Sequence, residues 1–296
     1  MTTFRHLSFL FVVTLSIFLI AAVHIYSGAP PSVTDEEMRI SDALFSAHKE
    51  GSRFWTVFAE NEEKINAPVL EKVLDRAIEN RDDTLVDMVL EGARKKKGEK
   101  ALTEMMLRAA GYFLFTSRPD RALKLYDDSM PLARLSESDI LMARAYEGNG
   151  DAAFYQGNPT NALLMYNRAA EIYSRTGPNI LRGAIARKTA DVYSQMGEGK
   201  TAQKLLETSR RIISREGSPV EEGHVYRSMA YTAMRLRDYK TAVGALELAL
   251  ARYKGAAYQA GEADVYRAFG DIDLNTGESD QAGEQYRNAL TLYRKT

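Results

Sequence analysis

The chain has 296 residues, with 39 Lys and Arg against 40 Asp and Glu and a formal net charge of −1. That balance gives no basic footprint for nucleic acid, so no nucleic-acid partner is expected. There is no cysteine, which excludes disulfides, thiolate nucleophiles, cysteine metal sites and a cysteine-linked lipid.

Leu7 to Tyr26 is a run of 20 residues without Asp, Glu, Lys or Arg. A helix of about 20 residues crosses a hydrocarbon core of about 30 Å. A cleaved signal peptide has a shorter apolar region, and a cut after Ser27-Gly28-Ala29 would leave Pro30 behind it. The stretch therefore reads as an uncleaved signal anchor, with residues 1–26 as one transmembrane helix and its flank. Arg5 precedes it and Asp35, Glu36 and Glu37 come after it, which places the N-terminus in the cytoplasm and the rest outside. In a Gram-negative bacterium that space is the periplasm. Residues 27–34 form a linker that Pro30 and Pro31 keep from continuing the helix.

Residues 35–101 carry four apolar faces at helical spacing. Ile40, Ala43, Leu44 and Ala47 form the first, and Phe54, Val57 and Phe58 the second, beside the sole tryptophan, Trp55. Val69, Val73, Leu74, Ala77 and Ile78 form the third, with Asn66 as cap and Pro68 in the first turn. The fourth, Leu85, Val86, Val89 and Leu90, is expected to end at Gly92. These are divergent hairpins capping the remainder of the chain, with the aromatic cluster packed inside or, as the functional alternative, open as a dock. Arg94-Lys95-Lys96-Lys97 with Lys100 reads as a solvated loop, or as a contact for anionic headgroups.

From residue 102 to 296 the chain repeats itself. Ala122, Ala162, Ala202, Ala242 and Ala282 recur every 40 residues. Four positions later stand Tyr126, Tyr166, Leu206, Leu246 and Tyr286; three further on stand Ser129, Ala169, Ser209, Ala249 and Ala289. Such spacing lies on one face of a helix. A second helical pattern precedes each turn, with Tyr146, Tyr226 and Tyr266 expected in the core and Gly150, Ala190, Ala230 and Gly270 four residues on. SRPD, QGNP, MGEG, LRDY and TGES lie between, with the residues that turns require. Each unit is a helix–turn–helix hairpin, and a fixed period of this length marks a solenoid.

These motifs resemble the tetratricopeptide repeat, with an aromatic and a small residue in the first helix and alanine, a large apolar residue and alanine in the second. The period is longer than the usual 34 or so residues, as in the long-repeat variants of the family. The resemblance implies an all-α, right-handed superhelical solenoid of hairpins, here preceded by one transmembrane helix. It also implies a scaffold for protein or peptide partners and a groove lined by the first helices. By that alignment the groove holds Glu147, Arg187, Arg227 and Arg267 at one equivalent position and Asp151, Asp191, Tyr231 and Asp271 four residues later. Arg187 with Asp191, and Arg267 with Asp271, are i,i+4 pairs that can satisfy each other on a solvated face. Arg227 faces Tyr231 and has no such acid, so its charge is expected to be the most available. The lysine and asparagine set with which some members hold a C-terminal carboxylate is not matched.

No catalytic constellation is legible. The four histidines, His6, His24, His48 and His224, show no ligand spacing on one helix. Neither enzyme activity, cofactor nor metal is expected. The sequence reads as a membrane-anchored scaffold that binds protein partners outside the cytoplasm, in assembly of a secretion, pilus or outer-membrane machine. The alternatives are a holdase for translocated chains and an accessory subunit of an enzyme complex. Leu290, Leu292 and Tyr293 have no further helix to cover them, and self-association through this C-terminal helix is a further expectation.

Overall fold

The computed structural model describes residues 33–50, 53–96 and 98–295. The expected span Leu7–Tyr26 lies outside the described residues. These contain fourteen helices and no strand, in two compact units, one ending at Ala152 and the other beginning at Ala153.

The first unit opens with α1 (Asp35–Lys49), α2 (Phe54–Glu60), α3 (Ala67–Glu79) and α4 (Asp83–Lys95). Thr34 starts α1 with a reciprocal cap: its hydroxyl accepts from the Glu37 amide at 3.2 Å, and the Glu37 carboxylate accepts from the Thr34 amide at 2.7 Å. Asn66 caps α3 by accepting from the Val69 amide at 3.2 Å, with proline in the first turn as expected. Phe54 and Phe58 are buried and pack inside this cap, while Trp55 is half-buried.

Gly92 does not end α4. The helix runs three residues further, and a Cβ at Gly92 would stand 2.7 Å from Cε2 of Phe58. The glycine thus admits the ring rather than breaking the helix. Arg94 and Lys95 form the last turn, where their charge suits the helix C-terminus, so the basic run is not simply a loop. Lys95 Nζ lies 3.8 Å above the Trp55 ring, and Lys96 donates to the Glu62 carbonyl.

The repeats continue as α5 (Glu99–Phe115) with α6 (Pro119–Leu135), then α7 (Asp139–Tyr155) with α8 (Pro159–Thr176). After these come α9 (Asn179–Gln195) with α10 (Gly199–Glu216), α11 (Pro219–Arg235) with α12 (Tyr239–Gly255), and α13 (Gln259–Thr276) with α14 (Ser279–Tyr293). The left-handed residue of each hairpin turn recurs at one repeat position: Ser117, Gly157, Gly197, Arg237 and Gly277, with φ between 60° and 94°. Three of the five are glycine, which adopts this conformation without steric cost.

The alanine column of the second helices is at most 2% exposed in every copy, and the small residues seven positions on are at most 3% exposed. Large rings fill the space that small residues leave. A Cβ on Gly148 would stand 2.2 Å from the Tyr126 ring, and one on Gly270 would stand 2.7 Å from the Tyr286 ring. Where serine replaces alanine in the column it is hydrogen-bonded: Ser209 donates to the Gly183 carbonyl at 2.7 Å, joining α10 to α9.

Tyr146, Tyr226 and Tyr266 are only half-buried, contrary to the expectation from their spacing. In the second unit the buried column lies at the ends of the second helices instead. Tyr173, Ile213 and Tyr253 recur every 40 residues and are fully enclosed. Gly183 makes room for Ile213, and Gly223 and Gly261 for Tyr253, with notional Cβ contacts of 2.5 to 2.7 Å.

Candidate functional site

The three arginines expected along the inner groove belong to the second unit, on α9, α11 and α13. They do not stand on a solvated face: Arg187, Arg227 and Arg267 are 6%, 5% and 9% exposed. Arg187 pairs with Asp191 at 3.3 Å, and Arg267 with Asp271 at 3.1 Å, each one turn along its own helix. Arg227 does have an acid. Its guanidinium donates to the carboxylate of Asp264, from the next hairpin, and both residues are buried. The helix-local pattern missed this contact because the partner lies 37 residues away and at a different repeat position.

Around these pairs the side chains form a seam from hairpin to hairpin. Arg267 donates to the Tyr231 hydroxyl at 2.7 Å, so Tyr231 joins α11 to α13. Tyr286 donates to Asp271 at 2.8 Å, and Tyr293 donates to the second oxygen of Asp264, both tying α14 back to α13. Ser228 hydrogen-bonds Asp191, and burial raises the pKa of that carboxyl even though Arg187 beside it acts the other way. Arg235 reaches from α11 to the end of α9, donating to the carbonyls of Ser194 at 2.7 Å and Gln195 at 2.9 Å. Both carbonyls lie in the last turn of α9, where the helix supplies few backbone donors of its own.

Asp151 belongs to the first unit, where it is buried. The Tyr126 phenol is pushed well up by burial first and by the Asp151 charge second. Of the residues expected to lie uncovered on the last helix, Leu290 is exposed while Leu292 and Tyr293 are half-buried.

His224, on α11, is the one histidine inside the second unit. Its Nδ1 lies 2.6 Å from the Tyr253 hydroxyl, and the Tyr258 ring stands edge-on with centroids 6.0 Å apart. Burial, then the charges of Arg227, Arg187 and Lys188, hold its pKa well below the ordinary histidine value. The folded state therefore keeps His224 neutral while the unfolded chain takes up a proton below about pH 6.5. Stability is unaffected above that pH and falls as the pH drops below it, by up to about 1.4 kcal/mol per unit. Asp191 and Asp271, raised chiefly by burial, act in the opposite sense as the pH falls through their raised values. Urea midpoints taken from about pH 7.5 to about pH 5.5 should decline, and His224→Gln should flatten the decline.

Among the described residues there is no group of three or more His, Cys, Asp or Glu placed to hold a metal ion. The chemistry of the seam is ion pairing and hydrogen bonding between helices of one chain.

Hairpins with close-packed alanine columns form an all-α array that is similar to tetratricopeptide repeats. A tetratricopeptide-repeat family model matches residues 141–215. The apo form of RapI is similar, with a TM-score of 0.65 and 14% identity over 88% of this chain and 98% of that one. A Rap protein complexed with competence and sporulation factor gives 0.61 and 14%, over 88% of this chain and 75% of that one. Aspartyl phosphate phosphatase F from Bacillus subtilis gives 0.62 and 12%, over 87% and 68%. At these identities the likeness is one of fold. No curated protein matches the sequence.

Proposed function

We propose that the chain is a membrane-anchored scaffold of the long-repeat tetratricopeptide type, binding protein or peptide partners outside the cytoplasm in assembly of an envelope complex. The observation that carries the binding role is the repeat itself. The same buried columns build each hairpin, so successive hairpins differ chiefly in the side chains they present outward, and stacked units of this kind offer extended surfaces. The shared fold of a Rap protein complexed with competence and sporulation factor supports partner binding. In this reading the chain acts by holding partners and not by catalysis.

The anchor rests on the uncharged run Leu7–Tyr26 and its flanking charges. No helix among the described residues is long and apolar enough to cross a membrane. Crosslinking in intact cells, followed by pull-down of the full-length chain, should return one small set of partners in a constant ratio. Many weakly held clients, with suppressed aggregation in vitro, would favour a holdase instead. The protein should resist carbonate extraction, and protease should reach the repeats only from outside. A soluble form beginning at or after Pro30 would contradict the anchor.

A further inference from the structure

The first unit contains a cleft of about 390 Å³ between the second helices α4 and α6. It lies away from the inner faces of the first helices, where the sequence directs attention. Leu90, Phe113 and Leu125 form its apolar floor, and Arg94, Arg121 and Lys124 stand along its walls.

The charges of the cleft are unequally committed. Arg121 lies 3.8 Å over the Phe113 ring and grips Asp87 through two hydrogen bonds of 2.6 and 2.8 Å. That two-point contact fixes the guanidinium and uses the Asp87 charge. Glu91, also in the lining, is paired at 3.5 Å with Lys95, which is not. Arg94 and Lys124 are exposed and make no ion pair within the described residues, leaving Asp128 as the only uncommitted acid in the lining. Two free cations against one free carboxylate, above an apolar floor, complement an anionic group carried on an aliphatic stem.

We propose that this cleft docks an acidic segment of a protein partner, with a glutamate-type carboxylate reaching between Arg94 and Lys124. The proposal rests on the scaffold role and names the chemistry of one partner. It also gives Arg94 a role that Lys95 and Lys96 do not share, because these are engaged with Trp55, Glu91 and the Glu62 carbonyl. The lining as a whole carries three acids and three bases, so it offers no net charge to a flat anionic membrane, whereas the two free cations can serve a single carboxylate.

The test uses the full-length protein in detergent and a fluorescein-labelled octapeptide of alternating Glu and Leu, read by polarisation. A Lys and Leu octapeptide and anionic phosphatidylserine vesicles serve as competing probes. The acidic peptide should bind, and its affinity should fall as salt rises, since exposed charges are screened beyond about 8 Å at physiological ionic strength. Arg94→Glu with Lys124→Glu should weaken it at least tenfold, while Lys240→Glu, exposed in the second unit, should leave it unchanged. Both altered positions are exposed, so the melting curve should not move. The proposal is overturned if the double variant binds the peptide as wild type does, if the lysine peptide binds equally, or if only vesicles bind. Pull-down from cells separates the two levels. A fixed partner set that survives the double variant keeps the scaffold and removes the cleft, whereas no fixed set with the wild-type chain removes the scaffold.

Discussion

Arg227→Met is expected to destabilise the second unit by about 3–5 kcal/mol, the typical consequence of removing one partner of a buried ion pair. The reason is Asp264. It is 3% exposed, and without Arg227 its carboxylate keeps only the Tyr293 hydroxyl as a strong donor. The stranded charge must either stay desolvated or take up a proton. On a solvated face, the same substitution would cost about 0–1 kcal/mol, so the two descriptions differ by an easily measured amount. Urea unfolding followed by circular dichroism should show an earlier transition for the variant. A midpoint indistinguishable from wild type would mean that the pair is not buried in solution.

Tyr253→Ala should cost a similar amount, about 3–5 kcal/mol, as large-to-small changes of buried aromatics do. Tyr253 is fully enclosed, its hydroxyl meets His224, and glycines of two flanking helices are cut away to admit its ring. The glycine supplies a check of sign. Gly223→Ala in the natural background puts a Cβ 2.5 Å from the ring and should cost about 1–3 kcal/mol by overpacking. With Tyr253→Ala already present the clash is gone. The same glycine change should then be neutral or mildly stabilising, because glycine inside a helix is worth about 0.5–1 kcal/mol less than alanine. Thermal melts of the four combinations decide it; an equal cost in both backgrounds would show that the ring does not pack against Gly223.

The alanine columns were legible because their spacing is both helical and periodic, and a small residue kept at one repeat position needs a packing reason. Asn66 was legible as a cap because its role is local. So were the Arg187–Asp191 and Arg267–Asp271 pairs, each one turn apart. The contacts between hairpins were not. Arg227 and Asp264 occupy different repeat positions, and aligning a repeat with itself compares only equivalent ones. Tyr173, Ile213 and Tyr253 lie near the ends of the second helices, past the columns that the alignment follows. Tyr146, Tyr226 and Tyr266 have core-like spacing, yet spacing alone does not say how deep a face lies. Gly92 carried a stop signal that the Phe58 ring overrides. The cleft between α4 and α6 arises from divergent hairpins and has no motif at all.

Arg227 with Asp264, Arg267 with Tyr231 and Ser228 with Asp191 join successive hairpins of the second unit, and in the proposed reading partners are met elsewhere. A double-mutant cycle on Arg227→Met and Asp264→Leu separates these two roles, with partner capture measured on each variant below its melting transition. Contacting residues typically show coupling of about 0.5–3 kcal/mol. The seam predicts coupling above about 1 kcal/mol, a double variant more stable than Arg227→Met alone, and capture at the wild-type ratio in all three variants. Coupling near zero, with stable single variants that lose their partners, would contradict it and return Arg227 to a partner-binding groove.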